Sequence, residues 1–114
     1  MKKIQHIAML YDFYGKLLTL KQQEILSCYY EHDLSLGEIA EEFGVSRQAV
    51  HDILKRGEKL LEGYEEKLGL VNKFISERDK LNQVLSLIEG LEGHDPLKGI
   101  IRQIIKEIVE IQQE

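Results

Sequence analysis

The stretch Ser35–Lys59, SLGEIAEEFGVSRQAVHDILKRGEK, decides the fold. It predicts two helices joined by a tight turn. Ser35 and Glu38 have the spacing of a capping box at the start of the first helix, and Ser46 is suited to cap the second. Gly44 stands where the chain leaves the first helix through a left-handed residue. The pattern therefore predicts a helix that stops sharply and a second helix that begins two residues later.

The apolar residues of this stretch repeat at helical spacing and define one buried side on each helix. Ala40 is small at a position where two helices would cross closely. A small residue, a turn glycine and a capping serine at these distances are together typical of a helix-turn-helix. The predicted buried set is Ile39, Ala40, Phe43, Val45, Val50, Ile53 and Leu54.

Composition places the chain among all-α proteins. The 114 residues are 43% hydrophobic and 31% charged, with one proline, and they are rich in strong helix formers. This length is typical of one domain, alone or with an appendage. The single cysteine, Cys28, excludes an intramolecular disulfide and fits a reducing cytosol. The N-terminal residues lack the pattern of a signal peptide, and no segment is predicted to enter a membrane.

Two helices are predicted before the motif. The first covers residues 2–14 and ends at Gly15. The second opens with a capping box formed by Thr19 and Gln22. The side chains predicted to be buried in this second helix are Leu20, Ile25, Leu26 and Tyr29, with Cys28 as a further candidate.

Two more helices are predicted after the motif. The second motif helix continues past Lys59, with a break at Gly63 or Gly69. A long amphipathic helix starts near Val71 and is closed by Gly90, Gly93 and the His94–Pro96 turn. Asp95 as cap and Pro96 at the first helical position then open the last helix.

The apolar face of the last helix is too wide for one neighbouring helix to cover. We therefore predict that residues 69–114 form a helical hairpin that makes a homodimer contact. The alternative is a hairpin that folds back on the first four helices. The predicted organisation is a helix-turn-helix domain at 1–68, resembling sigma-70 region four, and a hairpin extension at 69–114.

The sequence contains no pattern of catalytic or metal-binding residues. The four histidines are scattered and none has a ligand at a suitable spacing. A glycine-rich phosphate loop and a nucleophile elbow are both absent. The carboxylate pairs Glu41–Glu42 and Glu65–Glu66 are interpreted as solvated helix faces. We predict no metal, no cofactor and no enzymatic activity.

The candidate site is the exposed side of the second motif helix. In a DNA-binding helix-turn-helix this side enters the major groove, where Arg47 could read guanine and Gln48 could read adenine. Ser46, Lys55 and Arg56 could hold phosphates. The full candidate nucleic-acid-binding set is Ser46, Arg47, Gln48, His51, Asp52, Lys55 and Arg56.

Charge opposes nucleic-acid binding. The chain has a net charge of −5, and residues 46–62 hold four basic against three acidic side chains. Few phosphate contacts mean weak nonspecific affinity. The residues alone therefore favour a nucleic-acid partner and a protein partner about equally.

Two resemblances add to this interpretation. Leu18–Leu61, with LTLKQQEILSCYYEHD and SLGEIAEEFGVSRQAVHDILKRGEKLL, resembles region four of the sigma-70 family, which recognises promoter −35 elements. The whole chain resembles the small bacterial YlxM family of helix-turn-helix proteins. The residues that carry this second resemblance are MLYDFYGKLLT, the QQEILSCYYEHDLSLGEIAEEFGVSRQAV core and the isoleucine-rich tail.

The YlxM resemblance implies a regulatory role in the signal recognition particle pathway and a cytoplasmic location. It also implies partners in the RNA or protein of that particle. Two hypotheses remain open: a homodimeric regulator that binds DNA or this RNA, and a protein-binding adaptor of the same pathway with no DNA step.

Overall fold

The computed structural model describes residues 3–90 and 96–113, and within them it contains helices and no strand. The prediction of an all-α fold is confirmed. The chain divides into two compact units, Met1–Val71 and Asn72–Glu114. The helices are α1 (Lys3–Tyr14), α2 (Leu20–Tyr30), α3 (Leu36–Phe43), α4 (Arg47–Leu68), α5 (Leu70–Glu89) and α6 (Pro96–Gln113), with a 3₁₀ turn at Gly15–Leu17.

The predicted capping box of α2 is present. The Thr19 hydroxyl accepts from the Gln22 amide at 3.2 Å, and the Gln22 side chain accepts from the Thr19 amide at 3.0 Å. Ile25 and Leu26 are buried as predicted, whereas Leu20 is 77% exposed. The prediction for Leu20 was wrong because five residues turn a helix by roughly 140°, which places Leu20 on a different side from Ile25.

The helix-turn-helix forms as its residues predict. Ser35 and Glu38 complete a capping box at the start of α3, and Gly44 ends that helix in the left-handed region with φ of 65°. The long helix α4 continues through Gly63 and ends at Gly69, whose φ is 62°. Of the two predicted break points, Gly69 is therefore the one that is used.

Helix α4 is the centre of the first unit, since α1, α2 and α3 all pack against it. Ile7 and Leu10 of α1, Ile39 of α3 and Val50 of α4 are all fully buried. Gly57 allows α2 to approach α4 closely, because a Cβ at this position would lie 2.8 Å from the Leu26 side chain.

The prediction that the Glu65 carboxylate is solvated was wrong, because this side chain is hydrogen-bonded within the protein. Its Oε1 atom accepts from the Tyr14 hydroxyl at 2.6 Å and from the Val71 amide at 2.9 Å. The Tyr14 hydroxyl in turn accepts from the Leu70 amide at 3.1 Å. Two of the amides that open α5 are thus satisfied by the side chains of Tyr14 and Glu65.

The second unit contains most of α5 and all of α6. Side-chain hydrogen bonds join the two helices: Arg102 Nε donates to Glu89 at 2.8 Å, and Gln112 Nε2 donates to Glu77 at 2.7 Å. Pro96 is the first residue of α6, as predicted. The predicted turn through Gly93, His94 and Asp95 lies outside the described residues.

Candidate nucleic-acid interface

The start of α4 is fixed by local hydrogen bonds. The Ser46 hydroxyl accepts from the Ala49 amide at 3.0 Å, which caps the helix. Behind the turn, the Val45 amide donates to the Ala40 carbonyl at 3.0 Å. These contacts hold the first turn of α4 at the surface of the unit.

Five of the seven candidate side chains lie on the exposed side of α4, whereas Ser46 precedes the helix and Arg56 lies about half a turn around the axis from Arg47. Val50 and Leu54 are buried in the unit, whereas all the predicted side chains of the site are exposed. Steps of three and four residues along a helix keep such side chains on neighbouring positions of one face. The exposed set is Ser46, Arg47, Gln48, His51, Asp52, Lys55 and Arg56.

Asp52 is bonded to its neighbours within this face. Its Oδ1 atom accepts from Gln48 Nε2 at 2.9 Å and lies 3.6 Å from His51 Nδ1. The side-chain amide of Gln48, which the sequence predicted to read a base, is therefore already engaged in an exposed intramolecular hydrogen bond. A base that takes this amide has to exchange one hydrogen bond for another.

Glu58 is a neighbour of this face for which the sequence indicated only a negative charge. It is buried, and its Oε1 atom lies 3.9 Å from Lys55 Nζ and 4.0 Å from Lys3 Nζ. Burial and a hydrogen bond to Glu58 raise the pKa of Tyr30. The spacing of Lys55 and Glu58 was visible in the sequence, but the approach of Tyr30 from α2 was not.

The electrostatic surroundings of the face are mixed. Glu38, Glu41 and Glu42 of α3 are all exposed. Hydrogen bonds from the Ser35 amide and hydroxyl lower the pKa of Glu38, so this carboxylate keeps its negative charge at neutral pH. A phosphate backbone that lies along α4 would meet attraction from Arg47, Lys55 and Arg56 and repulsion from α3.

Two surface hollows, or pockets, are lined by residues of the first unit. One of about 160 Å³ adjoins His51 and Lys55 and is lined by Tyr29 and Tyr30. A more open cleft of about 770 Å³ is lined by residues that include Tyr11, Cys28 and Glu42. Burial, together with the charges of Glu42 and Glu24, raises the pKa of the Cys28 thiol.

Neither hollow has the ligands of a metal centre. Within residues 3–90 and 96–113, no group of three or more His, Cys, Asp or Glu side chains is placed to hold a metal ion. In the same part of the chain, no helix is both long and apolar enough to cross a membrane.

The fold and this exposed face define a helix-turn-helix protein. The chain belongs to the UPF0122 family, whose description reads "Putative helix-turn-helix protein, YlxM / p13 like" and whose pattern matches residues 1–110. The resemblance to the YlxM family seen in the sequence is confirmed.

Curated relatives match over nearly the whole chain. A UPF0122 protein of Desulforamulus reducens is 49% identical over 116 residues, which cover 100% of this chain and 99% of the relative. The UPF0122 protein YlxM of Bacillus subtilis is 44% identical over 106 residues, covering 93% and 96%. A UPF0122 protein of Bacillus cereus is 49% identical over 108 residues, covering 93% and 97%.

Proposed function

We propose that this protein is a nucleic-acid-binding regulator that uses the exposed face of α4. One observation carries the proposal: seven polar side chains lie exposed on or beside the first turns of a capped second helix in a helix-turn-helix. Helix-turn-helix proteins present this part of their second helix to base edges. The protein would act by binding, without a catalytic step.

The face divides into two roles. Arg47 and Gln48 stand at the start of α4, where base-reading residues lie in this motif, and their side chains match guanine and adenine. His51 and Asp52 follow one turn later, and Asp52 could accept from cytosine. Ser46, Lys55 and Arg56 would hold phosphates and so fix the register on the groove.

We propose that two copies act together. A single α4 offers few cations, and the neighbouring acidic side chains of α3 reduce their attraction for phosphate. A homodimer presents two such faces, and the second contact forms at high effective concentration once the first is made.

The family membership supports a finer proposal on the biological setting. As the YlxM resemblance implies, the protein would work in the cytoplasm in the signal recognition particle pathway. Its nucleic acid would then be either DNA that controls the genes of this pathway or the RNA of the particle.

The second candidate function is a protein-binding adaptor of the same pathway with no DNA step. It is favoured by the net charge of −5, which repels nucleic acid at long range. In this case the face of α4 or the isoleucine-rich tail would dock a protein, and an interface built on the tail would respond weakly to salt.

Electrophoretic mobility with two nucleic acids tests the proposal. The full chain is mixed with DNA from upstream of its own operon and, separately, with signal recognition particle RNA, at low and near-physiological salt. We expect a shift with one of them that weakens as salt increases. A protein that shifts neither nucleic acid at low salt contradicts the proposal and favours the adaptor.

Point variants test whether the mobility shift depends on the exposed face of α4. Arg47→Ala and Lys55→Ala should each weaken binding, whereas Lys67→Ala should not. Lys67 is a matched control because it is an exposed lysine near the other end of the same helix. Equal binding by the Arg47→Ala and Lys67→Ala proteins would remove the site assignment.

A further inference from the structure

A small pocket lies directly beside the exposed face of α4. His51 and Lys55 belong to both, since they are candidate residues of that face and also line the pocket. The pocket has a volume of about 160 Å³, well below the roughly 300–1,000 Å³ of pockets that enclose drug-sized ligands. Its size therefore suits one planar ring system.

Two tyrosine rings form part of the pocket wall. Tyr29 and Tyr30 both line it, with ring centroids 5.0 Å apart and planes at 85° to each other. Both side chains are only half-buried, so a ligand can reach them. Nucleic-acid bases stack on aromatic side chains because every base has a π-face.

A buried carboxylate lines the same pocket. The Glu58 side chain is 9% exposed, and its Oε1 atom lies 4.0 Å from Lys3 Nζ and 3.9 Å from Lys55 Nζ, which is beyond hydrogen-bonding distance. A carboxylate only accepts hydrogen bonds, about four in all, and the Tyr30 hydroxyl supplies one. With respect to residues 3–90 and 96–113, Glu58 therefore keeps acceptor positions that N–H groups of a ligand can use.

The rim of the pocket is basic. The side chains of Lys3 and Lys55 are 68% and 48% exposed, so their ammonium groups face solvent. Among the described residues that line the pocket, these two cations outnumber the one carboxylate. The excess positive charge attracts phosphate and repels a lysine or arginine side chain of a protein partner.

These three features correspond to the parts of a nucleotide. The rings can stack with the base, Glu58 can accept from its N–H edge, and the lysines can hold its phosphate. A base inside a duplex is stacked and paired and cannot reach such a pocket, whereas unpaired bases in RNA loops and bulges can be splayed out onto aromatic side chains.

The carboxylate favours one base over the others. The pairing edge of guanine carries two adjacent donors, the N1–H and N2–H groups, which match the two oxygens of a carboxylate. The pairing edges of adenine and cytosine carry one amino group each, and that of uracil carries one N–H group. Guanine therefore makes the largest number of hydrogen bonds to Glu58.

We propose that this pocket binds one unpaired guanine nucleotide of an RNA loop, with the base against the tyrosine rings, its N–H edge on Glu58 and its phosphate on Lys3 and Lys55. The inference rests on the proposed function and deepens it, because it selects RNA from the two nucleic acids that the α4 face could bind. The face of α4 would hold the flanking strand while the pocket reads one base.

Fluorescence anisotropy with three labelled RNAs tests the pocket. The full chain is titrated, at low salt, with an RNA stem closed by a guanine-containing loop, with the same stem closed by a uridine loop, and with the stem as a blunt duplex. We expect the guanine loop to bind about 10-fold more tightly than either of the others, as the gain of one stacked base predicts. Tyr29→Leu should remove this preference, whereas Tyr29→Phe should keep it.

Glu58→Gln tests the base preference. The ratio of guanine-loop to uridine-loop binding should fall, because an amide offers one acceptor oxygen where the carboxylate offers two. The ratio is the proper readout, since loss of a negative charge strengthens binding to every RNA alike. Glu62→Gln is the matched control, because Glu62 is exposed one turn later on α4 and removes the same charge outside the pocket.

A titration of the wild-type protein needs no variant. By NMR, guanosine monophosphate should shift the Tyr29 and His51 signals with roughly millimolar affinity, as one stacked base and a few hydrogen bonds predict. Cytidine monophosphate should shift them less. The pocket is excluded if guanosine monophosphate leaves both signals unchanged, and also if the guanine-loop preference survives in both the Tyr29→Leu and the Glu58→Gln proteins.

Failure of the pocket is distinguishable from failure of the proposed function. Binding that depends on Arg47 but is equal for the three RNAs removes the pocket and keeps the face of α4. A guanosine monophosphate site at Tyr29, without any Arg47-dependent binding of RNA or DNA, supports the pocket and removes the proposed function.

Discussion

Leu26 of α2 lies directly against Gly57 of α4, so that a Cβ on Gly57 would come within 2.8 Å of Leu26 Cδ1. Leu26 is fully buried, which leaves its side chain little room to move. The absence of a side chain at Gly57 therefore sets how closely the helix before the motif approaches α4.

Gly57→Ala should destabilise the protein relative to Gly63→Ala. Both glycines lie inside α4 and gain about the same 1 kcal/mol of helix propensity on substitution. A Cβ at Gly63 meets nothing within 4 Å, whereas overpacking at Gly57 costs about 1–3 kcal/mol. Urea unfolding followed by circular dichroism measures the difference. Equal urea midpoints for the two variants would mean that α2 can move away from the added Cβ with no loss of stability.

Tyr14→Phe should lower the free energy of unfolding by about 1–3 kcal/mol, the usual loss when a buried bond to a charged group is removed. The variant leaves the Leu70 amide without its acceptor and deprives Glu65 of one donor. Tyr64→Phe is the control, because its ring lies 6.0 Å from that of Tyr14 while its hydroxyl is outside these bonds. A loss of the same size in both variants would assign the effect to ring packing.

Cys28 should react slowly with iodoacetamide at neutral pH. Burial in first place, and then the charges of Glu42 and Glu24, raise its pKa above the ordinary value of 9.0, and only the thiolate is nucleophilic. The raised pKa also means that its contribution to stability is complete below pH 9.0 and is lost as the pH rises through the folded-state value.

The rate of alkylation against pH measures this shift. We expect a midpoint above 9.0 in the folded protein, a lower one in urea, and an intermediate one for Glu42→Gln. A folded-state midpoint at or below that of the unfolded chain would contradict the raised pKa.

Asp52→Asn should strengthen nucleic-acid binding by roughly 3- to 10-fold at low salt, as the removal of one repelling charge near phosphate predicts. The asparagine oxygen can still accept from Gln48, so the change isolates charge from hydrogen bonding. Glu66→Gln, exposed on α4 away from the face, is the matched control. Weaker binding by Asp52→Asn alone would indicate that the carboxylate reads a base.

The features that the sequence predicted well depend on neighbours along the chain. The capping boxes at Thr19 and Ser35, the cap at Ser46 and the left-handed Gly44 all form. Each requires only residues a few positions apart in the chain, because the unpaired backbone groups at a helix end find their hydrogen-bond partners nearby. This is why the helix-turn-helix and the exposed side of α4 followed from the sequence.

The features that it missed depend on residues far apart in the chain. Glu65 is joined to Tyr14, 51 positions earlier, and Glu58 is approached by Lys3 and Tyr30. Carboxylates on a helix are most often solvated, so their spacing alone gave no sign of these partners. Gly57 was missed for the same reason, since only its contact with Leu26 distinguishes it from Gly63.

The bond between Gln48 and Asp52 has a consequence for selectivity. A ligand that offers Gln48 no equivalent partner leaves the two side chains bonded to each other and finds a face that is already satisfied. Only a ligand with a matching donor and acceptor can replace that bond without a loss. The internal pair thus competes with a ligand for Gln48, and a ligand that breaks the pair without offering a matching donor and acceptor loses affinity.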